Sequence, residues 1–279
     1  MPGEELGAES VKTIFLRALE ADDKAAALRT AISGNQQVLK RQRFEVDPLS
    51  FGAVPRSPFA YWVSSGLREL FAELPRFGSE DREAWMGLST GSDTQWLRLT
   101  WEIPARHQGK FVSGSGGSWV PLSKGGEFAK FYAHLHLLVN WSCDGRHLNS
   151  WKSAELAMGR ITANNSQCWN QTKYLRPGVT WTRRTSSPLS LRAMPSGCIF
   201  GDKGPALLVE GDDKDQLLAI LAVTNSRAFR ALVELQLAAA DAAARSYEVG
   251  IIRNTPIPHT SPRQRSILAT LARRAWLYV

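Results

Sequence analysis

Cysteine is scarce in this chain of 279 residues: Cys143, Cys168 and Cys198 are odd in number and show no Cys-x-x-Cys spacing. That excludes a disulfide framework and a zinc knuckle, and leaves three small buried hydrophobes as the expectation. No run approaches the ~18 apolar residues of a membrane span. The opening Met1-Pro2-Gly3-Glu4-Glu5 is acidic where a secretory leader is basic and then apolar. A cytoplasmic protein with no membrane partner is expected. A Gly-x-x-x-x-Gly-Lys-Ser/Thr phosphate loop is missing as well, because Ser123-Lys124-Gly125-Gly126 runs in the wrong order. No internal repeat is found, and Ser113 to Ser118 reads as a flexible low-complexity loop.

Acidic residues are thin between Ala105 and Arg184, where three Asp/Glu face eleven Lys/Arg. That local excess of eight equals the excess of the whole chain, 34 against 26, so the remainder is electrically balanced. Eight of the ten tryptophans fall in or beside the same stretch: Trp85, Trp96, Trp101, Trp119, Trp141, Trp151, Trp169 and Trp181. Cations interleaved with flat rings suit a polyanion, the charges meeting phosphates and the rings meeting bases. A core or strand-packing role competes for each tryptophan taken singly.

The apolar content of 43% and the length allow one large domain or two ordinary ones. Val11, Ile14, Phe15, Ala18 and Leu19 fall at helical spacing, so Ser10 to Gly34 reads as helix, with a second piece capped by Asp22 or Asp23. Pro48, Gly52 and Pro55 make Arg41 to Ser57 a connector, and a short helix is expected from Pro58 to about Leu74. From Gly87 the pattern becomes that of short strands: Trp96 to Trp101, Ala133 to Trp141 and Val179 to Arg184, separated by glycine-rich turns. Beyond Leu207 helices return, at Asp215 to Val223, Arg227 to Arg245, and from an N-cap and N1 proline at Ser261-Pro262 to Tyr278. The expected fold class is α+β: N-terminal helices, a central antiparallel or mixed sheet, and C-terminal helices. The corresponding divisions are 1–56, 57–205 and 206–279.

Gly87-Leu88-Ser89-Thr90-Gly91 fits the Gly-x-Ser-x-Gly nucleophile pattern, but that chemistry needs a strand feeding the serine, a helix leaving it, and acid and histidine partners. Ser92-Asp93-Thr94 and an expected strand follow instead, so a polar turn is the better reading and no catalytic residue is assigned. His134 and His136 can share a strand face with Asp144 nearby, yet two histidines without a clear third donor do not make a metal site.

Sharper signals come from Lys124 at a turn where Gly125 and Gly126 expose backbone N–H groups, from Asn140-Trp141 at a strand end, and from Thr180-Trp181-Thr182-Arg183-Arg184 after Pro177-Gly178. Amide, hydroxyl and guanidinium donors of this kind grip phosphates and read base edges. Well-formed turns carrying solvated charges are the competing reading.

An ordered set of segments then resembles a known family. Ser57 to Ser64, Gly87 to Arg98, Trp119 to Phe128, Val139-Asn140-Trp141 with Asp144-Gly145, Tyr174 to Trp181, Leu191-Arg192 with Pro195 to Phe200, and Ser246 to Gly250 with Pro256-Ile257-Pro258 occur in this order. Together they are similar to the C-terminal half of large adenine-specific DNA methyltransferases of phage-defence systems, the PglX-like enzymes of BREX and their type IIG restriction-modification relatives. The resemblance runs from about Phe44 to Pro258. In that family a preceding catalytic domain carries a glycine-rich loop for S-adenosylmethionine and an Asn-Pro-Pro-Tyr type tetrapeptide for the flipped adenine. Neither is found here; Ser57-Pro58-Phe59 and Asn254-Thr255-Pro256 lack the paired prolines. Asp93 is displaced by one from the family's Thr-Gly-Asp turn.

The resemblance implies a target-recognition portion that binds double-stranded DNA, with no cofactor of its own and with methyl transfer done by a catalytic module. The expected DNA-binding residues are Arg98, Lys110, Lys124, Asn140, Trp141, Lys173, Arg176, Thr180, Trp181, Arg183 and Arg184, on turns shaped by Gly91, Gly125, Gly126 and Gly178. Two alternatives remain open: a subunit of a split methyltransferase active with a partner chain, and a protein-interaction module of the defence complex docking through Arg227 to Arg245.

Overall fold

A computed structural model describes residues 11–19, 21–33, 43–79, 81–108, 119–237 and 245–278. They group into two compact units, one running to Pro75 with a short return from Glu234, the other from Arg76 to Val233 and again through the C-terminal residues.

In the first unit, β1 (Thr13–Leu16) pairs antiparallel with β2 (Arg43–Val46), Thr13 opposite Val46 and Leu16 opposite Arg43. The N-terminal segment is therefore not the continuous helix its spacing suggested. Thr13-Ile14-Phe15-Leu16 is rich in β-branched and aromatic side chains, and the ring of Phe15 stacks on Tyr61 at 4.8 Å and meets Phe51 edge-on, contacts an extended chain provides. Helix does follow at Lys24–Ser33, its first turn held by the Asp23 carboxylate accepting from the N–H of Ala26. The expected helix after Pro58 starts later, at Ser65–Glu73, where Ser64 supplies the cap. Residues before it form a turn whose Ala60 and Val63 carbonyls accept from the buried guanidinium of Arg68.

The second unit is a mixed α/β assembly. One sheet has the order β10-β5-β6-β4, from β4 (Leu97–Leu99), β5 (Trp119–Ser123), β6 (Leu137–Asn140) and β10 (Ile199–Phe200); β10 runs parallel to β5 and the other pairs are antiparallel. The other, wholly antiparallel, has the order β3-β11-β7-β9, from β3 (Arg82–Trp85), β7 (Gly178–Trp181), β9 (Leu191–Met194) and β11 (Ala206–Val209). A short pair, β8 (Arg184–Thr185) with β12 (Arg245–Ser246), completes the ladders. The two larger sheets share a core in which Val120, Leu122 and Val139 meet Met194, Ala206 and Leu208, with Trp141, Tyr174 and Phe200 at its aromatic centre. Helix Lys214–Thr224 packs on the second sheet and against the terminal helix Pro262–Trp276, whose Ser261 and Gln264 form the capping box that the sequence announced with Ser-Pro.

The order of helices, then sheet, then helices does not hold. Helix Arg146–Ala157 lies inside the region read as sheet, and strands β11 and β12 lie inside the region read as helical. Trp96 ends a helical turn, Asp93–Trp96, rather than opening a strand; Gly91 at φ +74° turns the chain so that Ser92 starts that turn, and only Leu97–Leu99 extends. Leu207, expected at the return to helix, pairs with Val179 in the middle of a sheet. Of Arg227 to Arg245, the helix covers Arg227–Gln236; 238–244 lie outside the described residues.

Candidate functional site

A polar cavity of about 320 Å3 opens in the second unit where three pieces of chain converge. The turn Ser89 to Thr94 forms one wall, Lys124 at the end of β5 a second, and Asp202 and Lys203 after β10 a third, with Asn165 at the rim. The sheet connections place these walls. Leu88 donates its N–H to the Phe200 carbonyl, Asp202 donates back to Leu88, and Gly201 donates to Ser123, each within 2.9 Å. Gly87 makes that approach feasible: a Cβ there would stand 1.9 Å from the Phe200 carbonyl oxygen.

Inside the cavity the ammonium of Lys124 donates to the Asp93 carboxylate, which also accepts from the Thr90 hydroxyl. Burial raises the Asp93 pKa, but the hydrogen bonds from Lys124 and Thr90 and the charges of Lys124 and Lys203 outweigh it, so the group ends below its ordinary value. Beside it, the 124–127 loop is fixed from beneath. Gly126 accepts at its carbonyl from the Thr182 hydroxyl (2.8 Å), Thr182 in turn accepts from Arg192 (3.1 Å), and the Arg183 N–H donates to the Lys203 carbonyl (3.0 Å). Lys124, Gly125, Gly126 and Gly91 thus share one neighbourhood with Lys203 and the Arg183 backbone, whereas the Arg183 guanidinium turns toward Glu248 at 4.0 Å and the sulfur of Met86, and Arg184 pairs with Ser246 in the β8–β12 ladder.

Two further cations lie behind this surface, and neither is among the expected DNA-binding residues. Arg192 is 3% exposed and donates to the Glu127 carbonyl and the Thr182 hydroxyl. Lys152 is 1% exposed and donates to the carbonyls of Ser89 and Gln167 and toward the sulfur of Cys168. Neither has a carboxylate within ion-pair distance among the described residues, and burial lowers the pKa of each. Such charges are poorly screened by water. No linear pattern separates a buried lysine or arginine from a surface one, because burial is set by the packing of distant segments.

The other expected contacts scatter. Trp141, Thr180 and Trp181 are core residues: Trp141 packs edge-on to Tyr174 at 5.6 Å, Thr180 is enclosed between Ser123 and the Pro205 carbonyl, and the Trp181 side chain has no exposed surface. All three are enclosed, Thr180 and Trp181 pointing to opposite faces of β7, and none presents its side chain to solvent. Arg176 is tied to Asp212 at 2.7 Å and to the Val209 carbonyl, and Lys173 stands over the Trp85 ring at 5.2 Å, both lining a different cavity. Asn140 accepts from Ser142 and stays half-buried. Arg98 donates to the Thr94 and Leu97 carbonyls, near the cavity rim, with its guanidinium over Trp119. Gly178 sits where a Cβ would meet the Leu207 carbonyl at 2.6 Å, a packing role inside the sheet. Lys110 lies outside the described residues. Tyr132 and His134 bond to each other, and among the described residues no three His, Cys, Asp or Glu side chains surround a common point. Ser89 is buried with its carbonyl engaged by Lys152, and the chain leaves it through a turn rather than a helix. Among the described residues no helix is long and apolar enough to cross a membrane.

No protein-family model matches the chain. It is 28% identical over 177 residues to the adenine-specific methyltransferase BrxX of Escherichia coli O9:H4 (strain HS), an alignment covering 63% of this chain and 13% of that protein. It is 25% identical over 274 residues to the adenine-specific methyltransferase PglX of Lacticaseibacillus casei (strain Zhang), covering 91% of this chain and 22% of that protein. The chain is a distant homologue of these methyltransferases. It spans less than a quarter of the length of either relative.

Proposed function

We propose that this chain is the target-recognition portion of an adenine-specific DNA methyltransferase of a phage-defence or restriction-modification system, and that it binds duplex DNA through the face around the Lys124 cavity. The observation that carries this reading is that Lys124 and Lys203 face one cavity beside the glycine loop, with Arg192 buried beneath that loop and without a carboxylate partner among the described residues. A surface of this kind attracts phosphates from the front and is biased toward them from behind. Reading of base edges falls to side chains with free donors or acceptors at the rim, Asn165 and Lys203 among them, in place of the enclosed Thr180 and Trp181.

Methyl transfer is assigned to a module other than this chain. The glycine-rich loop for S-adenosylmethionine and the Asn-Pro-Pro-Tyr type tetrapeptide for the flipped adenine are not found in this sequence. Both the catalytic module and the methylated site are properties proposed from the homologues rather than held in these residues.

Fluorescence anisotropy with a labelled duplex, titrated from 50 to 200 mM salt, tests the reading. Three phosphate contacts, from Lys203, Arg183 and Arg184, give a slope of log K on log salt of about −3. Replacing Lys203, Arg183 and Arg184 together by alanine should abolish binding while leaving the unfolding midpoint in place. A salt-independent curve, or full affinity in the triple variant, refutes it.

A further inference from the structure

We infer that Lys152 and Cys168 form an oxidation-dependent covalent cross-link, a sulfur–nitrogen bond between the two side chains made when a peroxide reaches Cys168. The geometry is already close to that of the reaction. Nζ of Lys152 lies 3.2 Å from Sγ of Cys168, on helix Arg146–Ala157 and on the segment bridged to Leu88 respectively, and the thiol donates to Oδ1 of Asn149 at 2.9 Å. The helix presents Asn149 and Lys152 one turn apart on a single face, so both reach the same sulfur.

Exposure divides the labour between the two groups. Cys168 is half-buried, leaving its sulfur within reach of a small oxidant, whereas the amine is enclosed. Burial without a carboxylate partner favours the neutral amine, the form that carries a lone pair, and the charge–charge contributions of Cys168 and Asp202 only partly oppose it. The other two thiols differ: Cys198 is buried, with its pKa pushed up to about 12 by desolvation, and Cys143 is exposed.

The step balances with a peroxide, ROOH, as the two-electron oxidant. The sulfur attacks the peroxide, its O–O bond breaks, and Cys168 becomes a sulfenic acid while ROH departs. The Nζ lone pair then attacks that sulfur, the S–O bond breaks, and the hydroxyl leaves with an amine proton as water. The product, Cys168–S–NH–Lys152, has lost two hydrogen atoms relative to thiol plus amine. Holding the amine against the sulfur makes this second step intramolecular, so it outruns capture by a thiol from solution. The linked nitrogen keeps one hydrogen and no charge. It can therefore serve only one of the two carbonyls, Ser89 and Gln167, that the ammonium now holds.

Mass spectrometry of the full chain tests the inference. After brief treatment with hydrogen peroxide and alkylation, a digest should contain the Lys152 and Cys168 peptides joined, lighter than their sum by two hydrogens, and the joined species should vanish on reduction with dithiothreitol. Lys152→Arg, which keeps a cation on the same face but lacks the nucleophilic amine, should give Cys168 sulfinic acid instead. The wild-type digest decides the matter even if that variant does not fold. Cys168 oxidised to sulfinic acid with Lys152 unmodified, a Cys168–Cys198 disulfide, or a Cys168 left reduced while Cys143 is oxidised would each overturn it.

Discussion

The indole nitrogen of Trp181 donates to the carbonyl oxygen of Tyr247 at 2.8 Å, and neither residue has exposed surface. Their bond ties β7 to the chain after β12, joining segments 66 positions apart. Trp181→Ala removes a filled core volume and should destabilise the protein by ~3–5 kcal/mol. Trp181→Phe keeps most of the volume but leaves the Tyr247 carbonyl unpaired, which costs ~1–3 kcal/mol. Urea unfolding measures both. Since the ring faces no ligand, DNA affinity of the folded fraction should be unchanged in Trp181→Phe, and a large loss there would return this tryptophan to the interface.

The pair formed by Lys124 and Asp93 sets a second expectation. Asp93 holds a lysine that would otherwise meet a phosphate, so Asp93→Asn should tighten duplex binding and steepen the salt slope by about one unit, whereas Lys124→Ala should change the slope little in the presence of Asp93. The folded-state pKa of Asp93 lies below its ordinary value, so its contribution to stability is complete above about pH 4 and disappears as pH falls through the depressed value. More than half of the Asp93 side chain is exposed, which limits that contribution to under ~1 kcal/mol. Acid titration of wild type against Asp93→Asn at constant salt measures it.

Gly125 supplies the third. Its φ of +89° belongs to the left-handed region, and an added Cβ would stand 2.8 Å from the carbonyl oxygen of Lys203. Gly125→Ala should destabilise by ~1–3 kcal/mol. By moving the 124–126 loop off the segment that carries Lys203, it should also weaken DNA binding more than a surface Lys→Ala does. Thermal unfolding and anisotropy on the same preparation separate the two effects. The neighbouring Gly126, at φ +131°, has no atom closer than Arg192 at 3.9 Å, so only backbone strain opposes a side chain there.

What the residues disclosed in advance depended on range. Ser261-Pro262 marks a helix start through bonds spanning two or three residues, and the helix is found where that signal stands; the helix expected from Asp215 is found from Lys214, capped by Asp213. The Lys124-Gly125-Gly126 turn was legible for the same reason. Thr13 to Leu16 was misread because its apolar positions satisfy a helical template equally well, and only pairing with Arg43 to Val46, some thirty residues on, decides for strand. Thr180 and Trp181 looked like base-reading residues because charge and aromaticity cluster around them in sequence. Their burial follows from strand order, β11 on one side and β9 on the other, which no local pattern reveals. Lys152 and Arg192 were missed for the converse reason: a buried cation and a surface cation are the same letter.

Lys152 also makes a prediction about pH. Burial lowers its pKa in the folded protein relative to the unfolded chain, where a lysine titrates near ~10.4. Between those two values the unfolded state binds more protons than the native state, so stability rises with pH across that window and is level below it. Lys152→Met removes the titrating group, and its stability should lack this rise. The variant also leaves the Ser89 and Gln167 carbonyls without the ammonium, so its absolute stability at pH 7 reflects two opposed changes, relief of a buried charge and loss of two hydrogen bonds. The slope isolates the first of these. Urea midpoints measured from pH 7 to pH 10 in wild type and Lys152→Met should diverge as pH increases, and parallel curves would mean that the amine is already solvated in the native state.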